Sequence, residues 1–414
     1  MRYGLIGGRL GHSYSRDIHA RLATCDYELL ELPPEGLAPF LAARDFCAVN
    51  VTIPYKRAVI PLLDEVSDVA RRIGAVNVIV NDGGRRRGDN TDASGFAALL
   101  RHAGAEVRGW KCLVLGTGGT SRTVADVLER EGAAAVVHVS RVPKAGAIGY
   151  AEAARRHGDA QVLVNTTPVG MAPDVESSPI DLAPFGRLEA VVDVVYHPIR
   201  TQLVLEAQRR GIPACGGLAM LVAQAVYASA LFRGVAPEVE VPQIGTILRA
   251  LLAEKRNIVL VGMPSSGKTT FGRLVAGQSG RRFVDTDALA VERAGCSIAE
   301  LFATRGEGAF RELERTIVAE VSRGTGQVVA TGGGVVLDAR NVDALRRDGC
   351  VFFLDRPPEQ LLATPDRPLS RTPGDVRRLY GERLPLYRAA ADHAIDASRP
   401  PADVVRDILE RSSR

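Results

Sequence analysis

The segment Gly262-Met-Pro-Ser-Ser-Gly-Lys-Thr269 limits what this chain can fold into more than any other stretch. It fits the spacing G-x-x-x-x-G-K-[ST], follows the apolar run Asn257–Val261 and leads into an amphipathic stretch. Strand, glycine loop and helix in that order build a phosphate cradle. Glycines at 262 and 267 let the backbone curl until its N–H groups converge on phosphate oxygens, and the helix N-terminus adds favourable potential for an anion. The cradle takes in Gly262, Pro264, Ser265, Ser266, Gly267, Lys268, Thr269 and Thr270. Lys268 is expected to reach the β- and γ-phosphates, and the Thr269 hydroxyl to ligate Mg²⁺. The bland alternative, a glycine turn with a surface lysine, gives no reason for the strand before it and the helix after it. ATP with Mg²⁺ is therefore the expected ligand here, and a parallel sheet flanked by helices the expected fold.

At 414 residues the chain exceeds one ordinary core; two or three domains of roughly 100–250 residues are expected. Short apolar runs alternate with amphipathic stretches nearly throughout, the pattern of α/β domains. In a first block, 1–103, strands are expected at 2–7, 26–32, 48–52 and 75–80, with 81–88 as a hairpin turn. A second, Rossmann-type block, 104–245, has strands at 111–115, 136–140, 161–166 and 190–196, and its helix over 216–234 belongs to a segment, 216–245, that returns to the first block. Residues 235–243 read as a Pro- and acid-rich connector. Ile244, Ile247, Leu248, Leu251 and Leu252 then share a helical face, and 246–256 are expected to link to a third block, 257–414, with later strands at 327–331 and 350–355.

A net charge of +4 offers no reason to propose nucleic acid or membrane binding, so small molecules are the expected partners. The six cysteines form no Cys-x-x-Cys pair, MRYGLIGG lacks a signal-peptide layout, and no apolar run of about 18 residues exists. A cytoplasmic protein is expected; monomer and homodimer stay open.

The turn Gly116-Thr-Gly118-Gly119-Thr120-Ser121 sits between a strand and a helix, as in dinucleotide sites, although a tight turn without cofactor has the same look and Ser121 stands where Gly or Ala is usual. An NAD site places an acid at the end of the next strand. Here Ser140 is followed by Arg141, with Lys144 three residues on. Positive charge suits a 2′-phosphate, so NADP(H) is favoured over NAD; two solvated loop charges are the alternative.

Around this turn occur GHSYSRDIH (11–19), NVTIPYK (50–56), GAVNVIV (74–80), GDNTDASGF (88–96), NTTPVGM (165–171), DVVYHP (193–198) and GGLAMLVAQA (216–225). This series resembles shikimate dehydrogenase over 1–245. On the residues' own chemistry, Ser13 and Ser15 can hydrogen-bond a carboxylate, and Thr52, Asn77 and Gln224 can bind ring hydroxyls. A lysine beside a carboxylate in a cleft can give a proton to a ketone under hydride reduction, which the resemblance implies for Lys56 and Asp92; a structural ion pair is the alternative. Tyr196 would line the same pocket. Arg16 replaces the family's usual Pro, and Val78 its usual Thr. His12 and His19 are expected to pack or cap rather than to carry protons.

After the phosphate loop come FVDTD (283–287), GAFRELE (308–314), TGGGVV (331–336), DRPLS (366–370) and ERLPLY (382–387), an ordered set that resembles shikimate kinase over 257–414. The resemblance implies Asp285 on Mg²⁺, Asp287 on substrate hydroxyls, Arg311 and Arg383 on a carboxylate, Gly332, Gly333 and Gly334 close to the ring, and Arg367 on a lid over the phosphates. The family's further arginine before the lid is absent; Gln360 stands near its place. Together the two resemblances imply reduction of 3-dehydroshikimate with NADPH and phosphorylation of the resulting shikimate. A kinase half that only binds shikimate or ATP, and a dehydrogenase half preferring quinate and NAD, remain alternatives.

Overall fold

A computed structural model describes the chain except for residues 1, 12–13, 24, 144–145, 364–370 and 413–414. Contacts divide it into two compact units, 1–248 and 249–414.

The first unit opens with a mixed sheet: β1 (Arg2–Gly7), α1 (Ser15–Leu22), β2 (Tyr27–Glu31), α2 (Leu37–Ala43), β3 (Phe46–Val51), β4 (Glu65–Val66), α3 (Asp68–Ile73), β5 (Val78–Asp82) and β6 (Arg85–Asp89). Its strand order is β2-β1-β3-β5-β6-β4, with β1 parallel to β2 and β3, and β5 antiparallel to β3 and β6. The expected turn over 81–88 narrows to Gly83 and Gly84, both at positive φ (56° and 89°), as a two-residue hairpin requires. The arginines after it form a strand because they are paired: Arg86 is held by Asp64, Arg85 by Glu65.

α4 (Asp92–Ala103) leads into a second sheet: β7 (Lys111–Leu115), α5 (Gly119–Arg130), β8 (Ala135–Val139), β9 (Ala147–Ile148), α6 (Tyr150–Arg156), β10 (Val162–Asn165), β11 (Ala190–Asp193), α7 (Gln202–Arg209) and β12 (Ala214–Cys215). All its strands run parallel, in the order β12-β11-β10-β7-β8-β9. β10 and β11 are buried along their whole length, which explains their unbroken apolar runs. The order reverses between β7 and β10, so a crevice opens at the carboxyl ends of these two strands. α8 (Leu218–Arg233), buried on nearly every side, packs against α4 and α1 of the first half of the unit.

α9 (Gln243–Lys255) covers the segment read as a linker, and the division between the units falls within it. Ile247, Leu248, Leu251 and Leu252 are all buried, so one apolar face keeps the segment helical. The second unit then runs through β13 (Asn257–Val261), α10 (Lys268–Ser279), β14 (Arg282–Asp285), α11 (Thr286–Ala294), α12 (Ile298–Val321), β15 (Gln327–Ala330), α13 (Ala339–Arg347), β16 (Gly349–Asp355), α14 (Pro373–Ala390), β17 (His393–Asp396) and α15 (Pro401–Ser412). Its parallel sheet has the order β14-β15-β13-β16-β17, with a buried apolar cluster on each side. Among the described residues no helix is long and apolar enough to cross a membrane, and all six cysteines are free thiols.

Candidate active sites

The sharp turn after β7 brings Gly116 to φ +112°, where an added Cβ would stand 2.7 Å from Thr166 Oγ1. Gly118 and Gly119 instead face open space at the N-terminus of α5, room that a pyrophosphate can take. Ser121 departs from its expected part. Its side chain is buried, Oγ donates to Gly116 O at 2.7 Å and lies 2.9 Å from His138 Nδ1, so its hydroxyl braces the turn and only its backbone is left for a ligand. Ser140 and the exposed Arg141 follow β8, and the Arg141 charge is felt by Tyr150. Lys144 lies outside the described residues.

A cleft of about 400 Å³ adjoins this turn through Thr120. Ser15, Thr52, Lys56, Asn77, Asp92, Tyr196 and Gln224 all line it; Ser13, like His12, lies outside the described residues. Lys56 Nζ donates to Asp92 Oδ2 at 2.5 Å. Asn77 Nδ2 donates to Asp92 Oδ1 at 2.9 Å and approaches Gln224 Oε1 at 3.4 Å, while Asn77 Oδ1 accepts from the Thr91 N–H at 2.7 Å. That last bond fixes which way the Asn77 amide points. Asp92 opens α4, where the helix N-terminus suits a carboxylate. Asn50, not foreseen from sequence, joins the same wall, its Nδ2 donating to Asn77 O at 3.3 Å and its Oδ1 accepting from Tyr27.

In the second unit a cavity of about 670 Å³ is lined by Pro264, Ser265, Gly267, Lys268, Thr269, Thr270, Asp285, Asp287, Arg311, Gly332, Gly333, Gly334 and Arg383. Gly262 (φ 150°) and Gly267 (φ 98°) shape the loop. Lys268 Nζ donates to the carbonyls of Gly262 and Met263, folded back over the arc of the cradle. Ser266 is buried behind it and its Oγ has no hydrogen-bond partner among the described residues. Thr269 Oγ1 donates to Asp285 Oδ2 at 2.8 Å, so the two oxygens that would face a cation already touch. Among the described residues no cluster of three His, Cys, Asp or Glu makes a metal site, and this pair suits a hard cation held mainly by phosphate and water oxygens. Arg367 lies outside the described residues.

Residues 5–79 match the family model "Shikimate dehydrogenase substrate binding domain", and 264–413 match "Shikimate kinase". The shikimate dehydrogenase (NADP(+)) of Halothermothrix orenii is 39% identical over 267 residues, 57% of this chain and 91% of that protein. The chain belongs to the shikimate dehydrogenase family and carries a shikimate kinase domain. The solved chorismate mutase/shikimate 5-dehydrogenase fusion of Clostridium acetobutylicum is 33% identical with a TM-score of 0.57, over 60% of this chain and 96% of that one. Shikimate 5-dehydrogenase of Thermus thermophilus, solved with NADP(H) and shikimate, is 34% identical with a TM-score of 0.53, over 60% and 99%.

The kinase domain holds a group that sequence reading passed over. Glu314, inside GAFRELE, is 3% exposed; its Oε2 accepts from Arg311 Nη1 at 2.8 Å and its Oε1 has no partner among the described residues. Burial pushes its carboxyl up, and the Arg311 charge opposes. The other edge of Arg311 donates to Glu307 Oε1 through Nε and Nη2, at 3.2 and 2.9 Å. The three glycines, which line the cavity, also stand close to other protein groups. A Cβ at Gly334 would meet Arg311 Nη1 at 2.1 Å, one at Gly332 Asp287 Oδ1 at 2.6 Å, and one at Gly333 the Pro264 ring at 2.7 Å. The room they leave is filled by the protein's own side chains. Arg383, buried on α14, donates to Gly333 O at 3.0 Å.

In the dehydrogenase domain, Asp193 of the DVVYHP stretch has a part that its sequence does not disclose. It accepts from Asn165 Nδ2 (3.0 Å), Val195 N (2.9 Å) and Thr201 Oγ1 (2.7 Å), tying the exits of β10 and β11 to the cap of α7. Burial pushes its carboxyl up to about 6. His19 packs rather than reacts: it is fully buried and stacked 3.9 Å from Tyr27.

Proposed function

We propose that the dehydrogenase domain reduces 3-dehydroshikimate to shikimate and that the kinase domain phosphorylates shikimate to shikimate 3-phosphate. The observation that carries the first half is the Lys56–Asp92 pair at 2.5 Å in a cleft otherwise polar mainly through neutral groups. NADPH, when bound, supplies the hydride that the ketone carbon accepts. Lys56 then gives a proton from its ammonium to the ketone oxygen, which becomes a hydroxyl. Asp92 holds Lys56 in place and accepts from a neighbouring ring hydroxyl. Asn77 keeps Asp92 oriented, while Thr52 and Gln224 take further hydroxyls and Ser13 and Ser15 the carboxylate. Gly116, Gly118, Gly119, Thr120 and the backbone of Ser121 would hold the pyrophosphate, with Ser140, Arg141 and Lys144 at the adenosine end.

MgATP, when bound, supplies the phosphoryl group. Lys268 leaves its two carbonyls to neutralise the β- and γ-oxygens, and Thr269 and Asp285 face the cation. Asp287 orients the accepting hydroxyl, Arg311 and Arg383 grip the carboxylate, and Arg367 would close over the phosphates. The hydroxyl made in the first site is the nucleophile in the second, so the steps are consecutive on one molecule.

Product analysis of the full chain with 3-dehydroshikimate, NADPH, Mg²⁺ and ATP tests both halves. The expected result is NADPH oxidation followed by ADP and shikimate 3-phosphate. Shikimate accumulating without ADP would reduce the kinase domain to a binding module; no NADPH oxidation would remove the first half.

A further inference from the structure

The cleft of the dehydrogenase domain carries one charge that no acid balances among the described residues. Its charged lining residues are Arg9, Lys56 and Asp92. Lys56 and Asp92 cancel in their ion pair. Arg9 is exposed at the rim and makes no ion pair or hydrogen bond with any described residue. Glu31, the acid at the end of the neighbouring strand β2, accepts instead from the Leu10 N–H at 2.7 Å, which pins the loop that bears Arg9. On that loop Gly11 lines the cleft, and Ser15 follows at the start of α1.

A ring ligand with several hydroxyls and one carboxylate carries a single negative charge. Thr52, Asn77 and Gln224 answer the hydroxyls, the serines can hydrogen-bond the carboxylate but bring no charge to it, and the Lys56–Asp92 pair offers it no net charge. We propose that Arg9 pairs with the carboxylate of the substrate and sets the preference of this domain for anionic over neutral ring alcohols. This rests on the dehydrogenase reading given above. A guanidinium can engage both oxygens of a carboxylate at once, and an exposed position keeps the attraction sensitive to salt.

The test uses the full chain, Arg9→Gln and Arg9→Lys, with NADP⁺ and either shikimate or its uncharged methyl ester, the ester followed as substrate or as competitive inhibitor. Arg9→Gln is expected to raise KM for shikimate about fivefold to tenfold with kcat within about twofold, as for loss of one partly exposed charge pair. KM for NADP⁺ and the constant for the ester should stay as in the wild type, and Arg9→Lys should recover most of the loss. Added salt should raise the shikimate KM more in the wild type than in Arg9→Gln. An unchanged ratio of shikimate to ester constants in Arg9→Gln would overturn the proposal. A wild-type chain that fails to oxidise shikimate with NADP⁺ would overturn the dehydrogenase reading itself, and Arg9 with it.

Discussion

Lys56 Nζ stands 2.5 Å from Asp92 Oδ2, and Asn77 holds the other oxygen of the same carboxylate at 2.9 Å. The bond joins the loop after β3 to the first turn of α4, so the two charged groups come from separate elements of one unit. Lys56→Met should therefore lower the rate of ketone reduction about 10²–10⁴-fold. The same protein should phosphorylate shikimate at the wild-type rate, which doubles as the check that it has folded. Lys268→Ala should show the reverse pattern. Both activities, measured on both variants, settle whether the sites are independent.

Arg311 is held on both edges, by Glu307 and by Glu314. If Arg311 takes the substrate carboxylate as proposed, that carboxylate has to displace one of these acids. Glu307, on the exposed edge and next to the kink at Gly306 (φ 80°), is the easier to move. Glu307→Gln should lower the KM for shikimate about twofold to threefold, the scale of a weak surface pair. Arg311→Lys should raise it about tenfold or more, because lysine cannot present a planar fork. Steady-state kinase assays with shikimate as the varied substrate check both.

His19 is stacked between Tyr27 and Phe232, and burial pushes its imidazole down to about 4. The native state thus favours the neutral ring. The contribution is fully present above the ordinary value near 6.5 and is lost as pH falls from there towards about 4. Against His19→Phe, which keeps the stack and cannot be protonated, the wild type should lose about 2 kcal/mol between pH 7 and pH 5. Urea unfolding of the two proteins at both pH values measures it.

Asp193 has the opposite sign. Its folded value of about 6 lies above the ordinary 3.8, so its contribution is present below about 4 and fades as pH rises through about 6. Relative to Asp193→Asn, the wild type should lose about 2 kcal/mol between pH 4 and pH 6.5. The hydroxyl of Thr201 would face an amide in this variant, so the exits of β10 and β11 should loosen and KM for the dinucleotide should rise while the kinase stays unchanged. Unfolding curves across this range, with NADP⁺ kinetics at neutral pH, test both statements.

Much of the architecture was legible because buried parallel strands leave unbroken apolar runs: 111–115, 161–166, 190–196 and 350–355 all contain strands. β6 was missed because Arg85 to Arg87 are polar, and what makes them a strand is pairing with β5 together with the ion pairs to Asp64 and Glu65. β17 was missed because only Ile395 of its four residues is buried, which leaves no apolar run to read. Among the residues singled out from motifs, Ser15, Thr52, Lys56, Asn77, Asp92, Tyr196 and Gln224 line one cavity and Lys268, Thr269, Asp285, Asp287, Arg311 and Arg383 another, whereas of the dinucleotide turn only Thr120 reaches the first. Asn50, Glu314 and Arg9 escaped because nothing local distinguishes them: Glu314 is one of several glutamates on α12, and only packing makes it the buried one.

By itself, the order of residues determined that two glycine loops, each between an apolar strand and a helix, lie on parallel sheets, since glycine loops, apolar strands and helix starts are local chemistry that each stretch carries with it. Tertiary structure alone decided that Ser121 turns inward, that Gly332 and Gly334 make room for Asp287 and Arg311, and that Arg9 lines the cleft without an ion pair to a described acid. The reason is that burial and charge balance depend on which distant residues arrive at a point, and these come from elements far apart along the chain.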